Sequence, residues 1–340
     1  MRGGGFGRAA GAVAITVLVL LGARVAWHAW TGPSRLPPPV AASPRPATVT
    51  PAAPRAPAPV AMAPCAPAPG FEAAGAENAQ SLTGAQWAVF GRPETGWETF
   101  GPLAAQEIGS GCAPDSAGFA RDLAAWQGTH ALAATGVMDP ATLTAMNRLW
   151  LSRRPFVAAT AHGACPPPPA TERLAWTTGA ESYSGQPVQL RVTALAAYRA
   201  MATAARREVG EAAADPRLLT LFSAYRDPAA DAARCARDGN CGTVAKANCS
   251  AHRTGLAMDL YLGAAPGLRP DSAADANRAW MSQTPTYRWL VANAARFGFV
   301  NYPFEPWHWE WPSSSRKKLR YRRVCGDRPT STASSTGKGA

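Results

Sequence analysis

The chain has 340 residues, 47% of them hydrophobic and 12 of them tryptophan, with a formal net charge of +12 and a pI near 9.9. That apolar content excludes a mainly disordered protein and leaves room for a targeting segment, a linker and one or two packed domains. The positive balance favours polyanionic surroundings such as anionic lipid or cell-wall polymers, and surface composition alone explains it equally well. No zinc-finger, RRM or homeodomain signature directs the chain to nucleic acid.

In chain order, Arg2 and Arg8 precede an apolar run from Ala9 to Ala23, the charged and hydrophobic parts of an export signal. The run is shorter than the roughly 20 residues of a full membrane span. Arg24 spoils the cleavage site ending at Ala26, whereas Trp27 and Trp30 suit a membrane interface. Residues 1–31 therefore read as a signal peptide or a signal anchor, with the balance toward the anchor on the outer face of the inner membrane. Residues 32–70, dominated by proline and alanine, read as an extended spacer of about 3.1 Å per residue.

Export makes disulfides the expected state of the cysteines. Cys112, Cys165, Cys235, Cys241, Cys249 and Cys325 lie in folded-looking sequence, while Cys65 sits in the Pro/Ala tract. The expected pairs are Cys112 with Cys165, which bracket one module, and Cys235 with Cys241, across a short loop. The spacing of the three clustered cysteines is unlike that of structural zinc thiolates.

Residues 71–165 read as a helical region. One helix runs through Trp97, Phe100, Ala104 and Ile108 to Gly109, and a second carries Phe119, Leu123, Trp126 and Gln127. A turn from Gly136 then leads to Asp139 as N-cap and Pro140 in the first turn of a helix ending near Trp150. This order resembles the small three-helix peptidoglycan-binding module, with its Trp-Gln and Gly-x-x-Asp-x-x-Thr signature. The resemblance implies wall binding; a helical spacer gives the same periodicity.

A proline run after Cys165 marks a boundary, and 166–328 read as the second domain, followed by a Ser/Thr/Gly tail over 329–340 that reads as disordered. The pattern predicts a helix over Leu190–Arg207 and a strand over Leu218–Phe222. It also predicts a strand over Leu256–Leu262, with Asp259 on the face opposite the Leu/Met set. A helix through Tyr287 and Phe297 stops at Gly298, and the last strands are Phe299–Tyr302 and Trp307–Trp311. Helices and strands mix without regular alternation, which predicts an α+β fold with a largely antiparallel sheet flanked by helices.

The chemistry concentrates in two segments. In Ser250–Leu260, His252 precedes the predicted strand, Asp259 lies within it, and a turn at Thr254-Gly255 folds one toward the other. In Glu305–Trp311, period two puts His308 and Glu310 on one face and three tryptophans on the other. Two imidazoles and a carboxylate are a donor set for zinc that keeps one position open, and a nearby glutamate that is not a ligand can accept a proton from water. His28, His130 and His162 read as surface or core decoration.

These segments, Ser-x-His-x-x-Gly-x-Ala-x-Asp and Glu-x-x-His, resemble the motifs of VanY-type zinc D-alanyl-D-alanine carboxypeptidases and dipeptidases, related to lysostaphin-like metallopeptidases. The resemblance covers roughly 180–311. It implies that His252, Asp259 and His308 hold one zinc and that Glu305 is the general base. A third family motif matches Ser223-Ala224-Tyr225-Arg226. It assigns Arg226 to the oxyanion and makes Arg226 and Tyr225 candidate substrate contacts, while the serine that opens the first motif, Ser250, is expected near the terminal carboxylate of the substrate. The implied substrates are peptidoglycan stem peptides.

Asp231 departs from the glutamine frequent in the family five residues after the arginine, and the cysteine-bearing insertion Cys235–Cys249 borders the site. Glu310 is the rival base. The basic run from Arg316 to Arg323 reads as a solvated strand or helix end, or as a contact for wall polyanions. The competing functions are an endopeptidase of the same fold and a non-catalytic, zinc-stabilised wall-binding protein.

Overall fold

The computed structural model describes residues 64–239, 241 and 249–312, all within one compact unit, Ala53–Ala340. The segment read as an export signal, most of the tract read as a spacer, Cys325, the basic run and the tail lie outside the described residues. Among the described residues, no helix is long and apolar enough to cross a membrane.

The helical region opens with α1 (Glu72–Gly84), followed by the two-residue strands β1 (Gln86–Trp87) and β2 (Glu94–Thr95). Then come α2 (Gly101–Ile108), α3 (Ala117–Thr129), α4 (Pro140–Arg153) and the short α5 (Pro155–Ala159). Gly109 ends α2 at φ 70°, a left-handed conformation that favours glycine. Ser116 caps α3, and Asp139 caps α4 by accepting from the Thr142 N–H, with Pro140 in the first turn as predicted. Trp97, Phe100, Phe119, Leu123, Leu143 and Met146 are all but fully buried and form the core of this region.

Gln127 is buried beneath the 135–142 turn. It accepts from the Gly136 N–H and donates to Val137 O and Thr142 Oγ1. The Trp-Gln and Gly-x-x-Asp-x-x-Thr residues are thus accounted for by folding, as lock and cap of one turn.

The part after the proline run contains β3 (Leu174–Trp176), β4 (Gln189–Arg191), α6 (Val192–Glu208) and α7 (Gly210–Ala214). After these come β5 (Leu221–Ser223), α8 (Pro228–Asp238), β6 (Ala257–Leu260), α9 (Asp275–Gln283), α10 (Pro285–Asn293), β7 (Val300–Tyr302) and β8 (Glu305–Glu310). The main sheet has the order β5-β6-β8-β7 and is antiparallel throughout. The architecture is α+β. Leu190 belongs to β4 rather than to the helix, and the strand expected from Leu218 begins at Leu221.

One face of the sheet presents Met258, Leu260, Trp307 and Trp309 to α6 and α10, where Tyr198 and Leu290 complete the core. Trp309 is 2% exposed; cutting it to alanine would cost about 3–5 kcal/mol. The opposite face carries the polar site. Both faces of β6 are buried, so the alternation seen in the sequence separates core from site, not core from solvent.

The two regions share a polar and aromatic interface. Arg278 and Glu94, each 1% exposed, form a buried ion pair, and Arg92 donates to Asp275 Oδ1 and Ala273 O. Phe90 packs against Tyr302 and Phe304. The charged pair lies in low dielectric, where losing one partner is far costlier than losing both.

The disulfides correct one expectation. Cys112 pairs with Cys65, and Cys165 pairs with Cys249, with Cα–Cα distances of 4.5 and 5.7 Å. Cys112 and Cys165 are therefore not partners. The start of the described chain folds back onto Gly118 and Cys112, so Cys65 belongs to the folded region rather than to the spacer. Cys235 pairs with Cys241, as the short loop predicts.

Candidate active site

A single 3-10 turn, Ala251–Thr254, carries His252. Ser250 caps it by accepting from the His252 N–H, and Gly255 closes it at φ 66° with its N–H on His252 O. A side chain at Gly255 would be strained by that φ and would also meet Leu174 Cδ2 at 2.9 Å. The turn returns the chain into β6, where Asp259 stands opposite His308 of β8 and opposite Ser223 of β5. Register thus places an aspartate and a histidine side by side at the middle of the sheet, and the turn sets the second histidine above them.

The resulting group is compact. Asp259 Oδ2 lies 3.2 Å from His252 Nε2 and Oδ1 lies 2.9 Å from His308 Nδ1. One ligand atom from each residue falls within 4.8 Å of the others, and all three residues are buried. The outer nitrogens are both engaged. His252 Nδ1 is 2.7 Å from Ala224 O, and His308 Nε2 is 3.3 Å from Glu310 Oε1. With a cation on the inner nitrogens, the acceptor at each outer nitrogen would hold the remaining proton there, the tautomer a metal ligand needs. The residues present therefore fit a divalent cation, and two imidazoles favour zinc over metals that take oxygen ligands alone.

Burial drives His252 down to about 4, against the pull of Asp259. Burial also opposes ionisation of Asp259, but the two histidines outweigh it and hold the carboxyl well below the ordinary range. His308 is pushed up to about 9, because bonds to Asp259 and Glu310 overcome its desolvation. A cation bound at Nδ1 would displace that proton.

The two candidate bases differ sharply. Glu305 keeps 30% of its side chain accessible, lines the cleft, and places Oε2 3.8 Å from His308 Nδ1. Burial raises its carboxyl above the ordinary value, with the charge on His308 pulling the other way. Glu310 is 2% exposed and fully occupied. Oε1 takes Arg154 and His308, and Oε2 accepts the Phe156 N–H at 2.9 Å. Burial opposes its charge, yet His308 and Arg154 bring it down to about 2.

Arg226 sits beside the group. Its Nε donates to Asp231 Oδ1 at 2.8 Å, Nη1 to Ser223 Oγ at 3.1 Å and Nη2 to Ser250 Oγ at 2.6 Å. Three of the five guanidinium N–H groups are thereby used, leaving one on each Nη. Asp231 is fully buried and serves as the anchor of Arg226, a clear role for the residue that departs from the family pattern. Its other oxygen has no partner among the described residues. Tyr225 is held by its N–H on Gln189 O and stands outside the cleft lining.

The cleft has a volume of about 1560 Å³. Arg226, Ser250, Glu305 and His308 line it from the part that carries the main sheet; Phe90 and Arg92 line it from the helical region. His130 stacks on Trp126 and His162 is exposed, and neither belongs to the cleft lining. What sequence reasoning missed is Arg154, which contacts a residue 156 positions away, and the part Glu310 plays behind His308. Only the shared strand face of His308 and Glu310 signalled the latter.

The aspartate-histidine pair across one ladder and the second histidine on the adjoining turn form a buried group that could hold a metal ion. Residues 188–314 match the family described as VanY, D-alanyl-D-alanine carboxypeptidase, and this segment is a VanY-type domain. The match takes in Arg226, Ser250, His252, Asp259, Glu305 and His308. Comparison of the chain with curated proteins and with solved structures gave no significant match.

Proposed function

We propose that the chain is a zinc-dependent peptidase that hydrolyses the terminal D-alanyl-D-alanine bond of peptidoglycan stem peptides. The observation that carries this reading is the buried His252–Asp259–His308 group with Glu305 beside it on an open cleft, inside a VanY-type segment. A zinc ion held by these three residues would supply a Lewis acid that acidifies water and polarises the scissile carbonyl. Glu305 takes a proton from the attacking water and gives one to the departing nitrogen as the C–N bond breaks. The products are free D-alanine and a stem shortened by one residue, with the water oxygen in its new carboxylate. The two free N–H groups of Arg226 stabilise charge on the carbonyl oxygen, and Ser250 lies beside them toward the terminal carboxylate of the substrate.

The size of the cleft favours a second reading, an endopeptidase of the same fold. About 1560 Å³ exceeds the roughly 300–1,000 Å³ of ordinary small-molecule pockets and admits more than a dipeptide end. Mass analysis of purified muropeptides after incubation separates the two. Release of D-alanine from pentapeptides supports the carboxypeptidase, cleavage of cross-linked dimers supports the endopeptidase, and intact muropeptides sink both.

We also propose that the folded part works outside the inner membrane, a reading favoured by Arg2, Arg8, the Ala9–Ala23 run and three disulfides. A reporter active only in the periplasm, fused after Gly70, tests export. Co-sedimentation of the full chain with sacculi at physiological salt tests wall binding.

A further inference from the structure

We propose that Arg154, supplied by the helical region, is a positioning residue for the metal centre, acting through Glu310 to hold the His308 imidazole with Nδ1 toward Asp259. The inference rests on reading His308 as a ligand.

For Nδ1 to offer a lone pair, the proton of a neutral His308 must reside on Nε2, and that N–H needs an acceptor. Glu310 Oε1, at 3.3 Å, is the acceptor. Glu310 is itself 2% exposed, and a buried carboxylate persists only where donors compensate it. Those donors come from one short stretch. Arg154 turns both Nε, at 2.9 Å, and Nη2 onto Oε1, and the Phe156 N–H meets Oε2 at 2.9 Å. Arg154 is 11% exposed and lies flat over Tyr302, its Cζ 3.7 Å from the ring centroid, so its fork has little freedom to leave.

Tyr302 also stands edge-on to His308, with centroids 6.0 Å apart. The chain Arg154–Glu310–His308 thus runs from the end of α4 to a metal ligand without a break, and the Cys165–Cys249 disulfide ties the same connecting segment to the residue before Ser250. The helical region, whatever it binds, completes the metal site.

The test is metal affinity rather than turnover. Wild type, Arg154→Ala and Arg154→Lys, each as the full chain, are stripped with chelator. They are then titrated with Zn²⁺ against a competing chelating dye, and with Co²⁺ while visible absorption is followed. Arg154→Ala should bind Zn²⁺ about 10- to 100-fold more weakly and give a changed Co²⁺ spectrum. Arg154→Lys, which restores charge but not the fork, should fall between it and wild type. A folded Arg154→Ala chain with wild-type affinity and spectrum overturns the proposal, even if its melting temperature falls. Should that chain fail to fold, wild-type affinity in Arg154→Lys overturns it instead. Failure of wild type to bind either metal defeats the reading of His308 as a ligand, and with it this inference. Wild-type binding with unchanged variants defeats this inference alone.

Discussion

Glu305 and Glu310 end the same strand, yet Glu305 opens on the cleft with 30% of its side chain accessible while Glu310, at 2%, is closed behind His308. Of the two, Glu305 lines the cleft and Glu310 does not. The expected result for Glu305→Gln is a folded chain that keeps its zinc and loses hydrolysis by about 10²- to 10⁴-fold, the usual weight of a general base. For Glu310→Gln the metal content itself should fall. Zinc content and D-alanine release, measured together on both variants, decide the matter. A metal-loaded, inactive Glu310→Gln beside an active Glu305→Gln would reverse the two roles.

Asp259 is touched by both histidines, one on each oxygen, so its removal should abolish the group as a unit. Wild type should carry about one zinc per chain, and Asp259→Ala, His252→Ala and His308→Ala should lose metal and activity together. Arg226→Ala should keep its zinc, because the arginine contacts Asp231, Ser223 and Ser250 rather than any ligand side chain. Its activity should drop by about 10²-fold or more, the scale of losing an oxyanion donor. Metal analysis of freshly purified, unchelated protein checks the series, and zinc-free wild type would refute the cofactor.

The parts of the site legible in the sequence are those fixed by short-range geometry. Period two placed His308 and Glu310 on one face, and Gly255 marked the turn that brings His252 back over β6. Strands and helices with bulky apolar periodicity, such as β8 and α10, were equally plain. Helix α8 was not, because alanine is its commonest apolar residue and it buries little beyond Asp231 and Cys235. Pairings that depend on how distant elements meet leave no local trace. Glu94 with Arg278, Arg154 with Glu310 and Cys65 with Cys112 are all of this kind.

Acid stability should report on Glu181, away from the metal group. Arg199 donates to both carboxylate oxygens and, against burial, lowers the carboxyl from its ordinary 4.5 to about 2. A depressed folded-state value means stability fully present above about pH 4.5 and lost as pH falls toward 2. Arg199 is 47% exposed, so screening limits the gain to about 1 kcal/mol. Urea midpoints for wild type and Glu181→Gln should differ at pH 7 and converge near pH 2. A constant gap across that window would show that the ion pair contributes nothing.

The disulfide connectivity makes the last prediction, because Cys165–Cys249 and Cys65–Cys112 brace different things. The first closes 84 residues of chain and fixes Cys249, whose neighbour Ser250 holds both the His252 turn and Arg226. The second closes 47 residues within the helical region. By loop-closure entropy each should contribute about 2–4 kcal/mol, so Cys165→Ser and Cys112→Ser should lower the melting temperature by similar amounts. Their effects on catalysis should separate: Cys165→Ser loosens the segment carrying His252 and should lower kcat, while Cys112→Ser leaves that segment braced. Peptide mapping of Cys112→Ser under non-reducing conditions should find Cys65 free and Cys165 still bound to Cys249. Recovery of a free Cys165 from that variant would mean that Cys112 and Cys165 are partners after all.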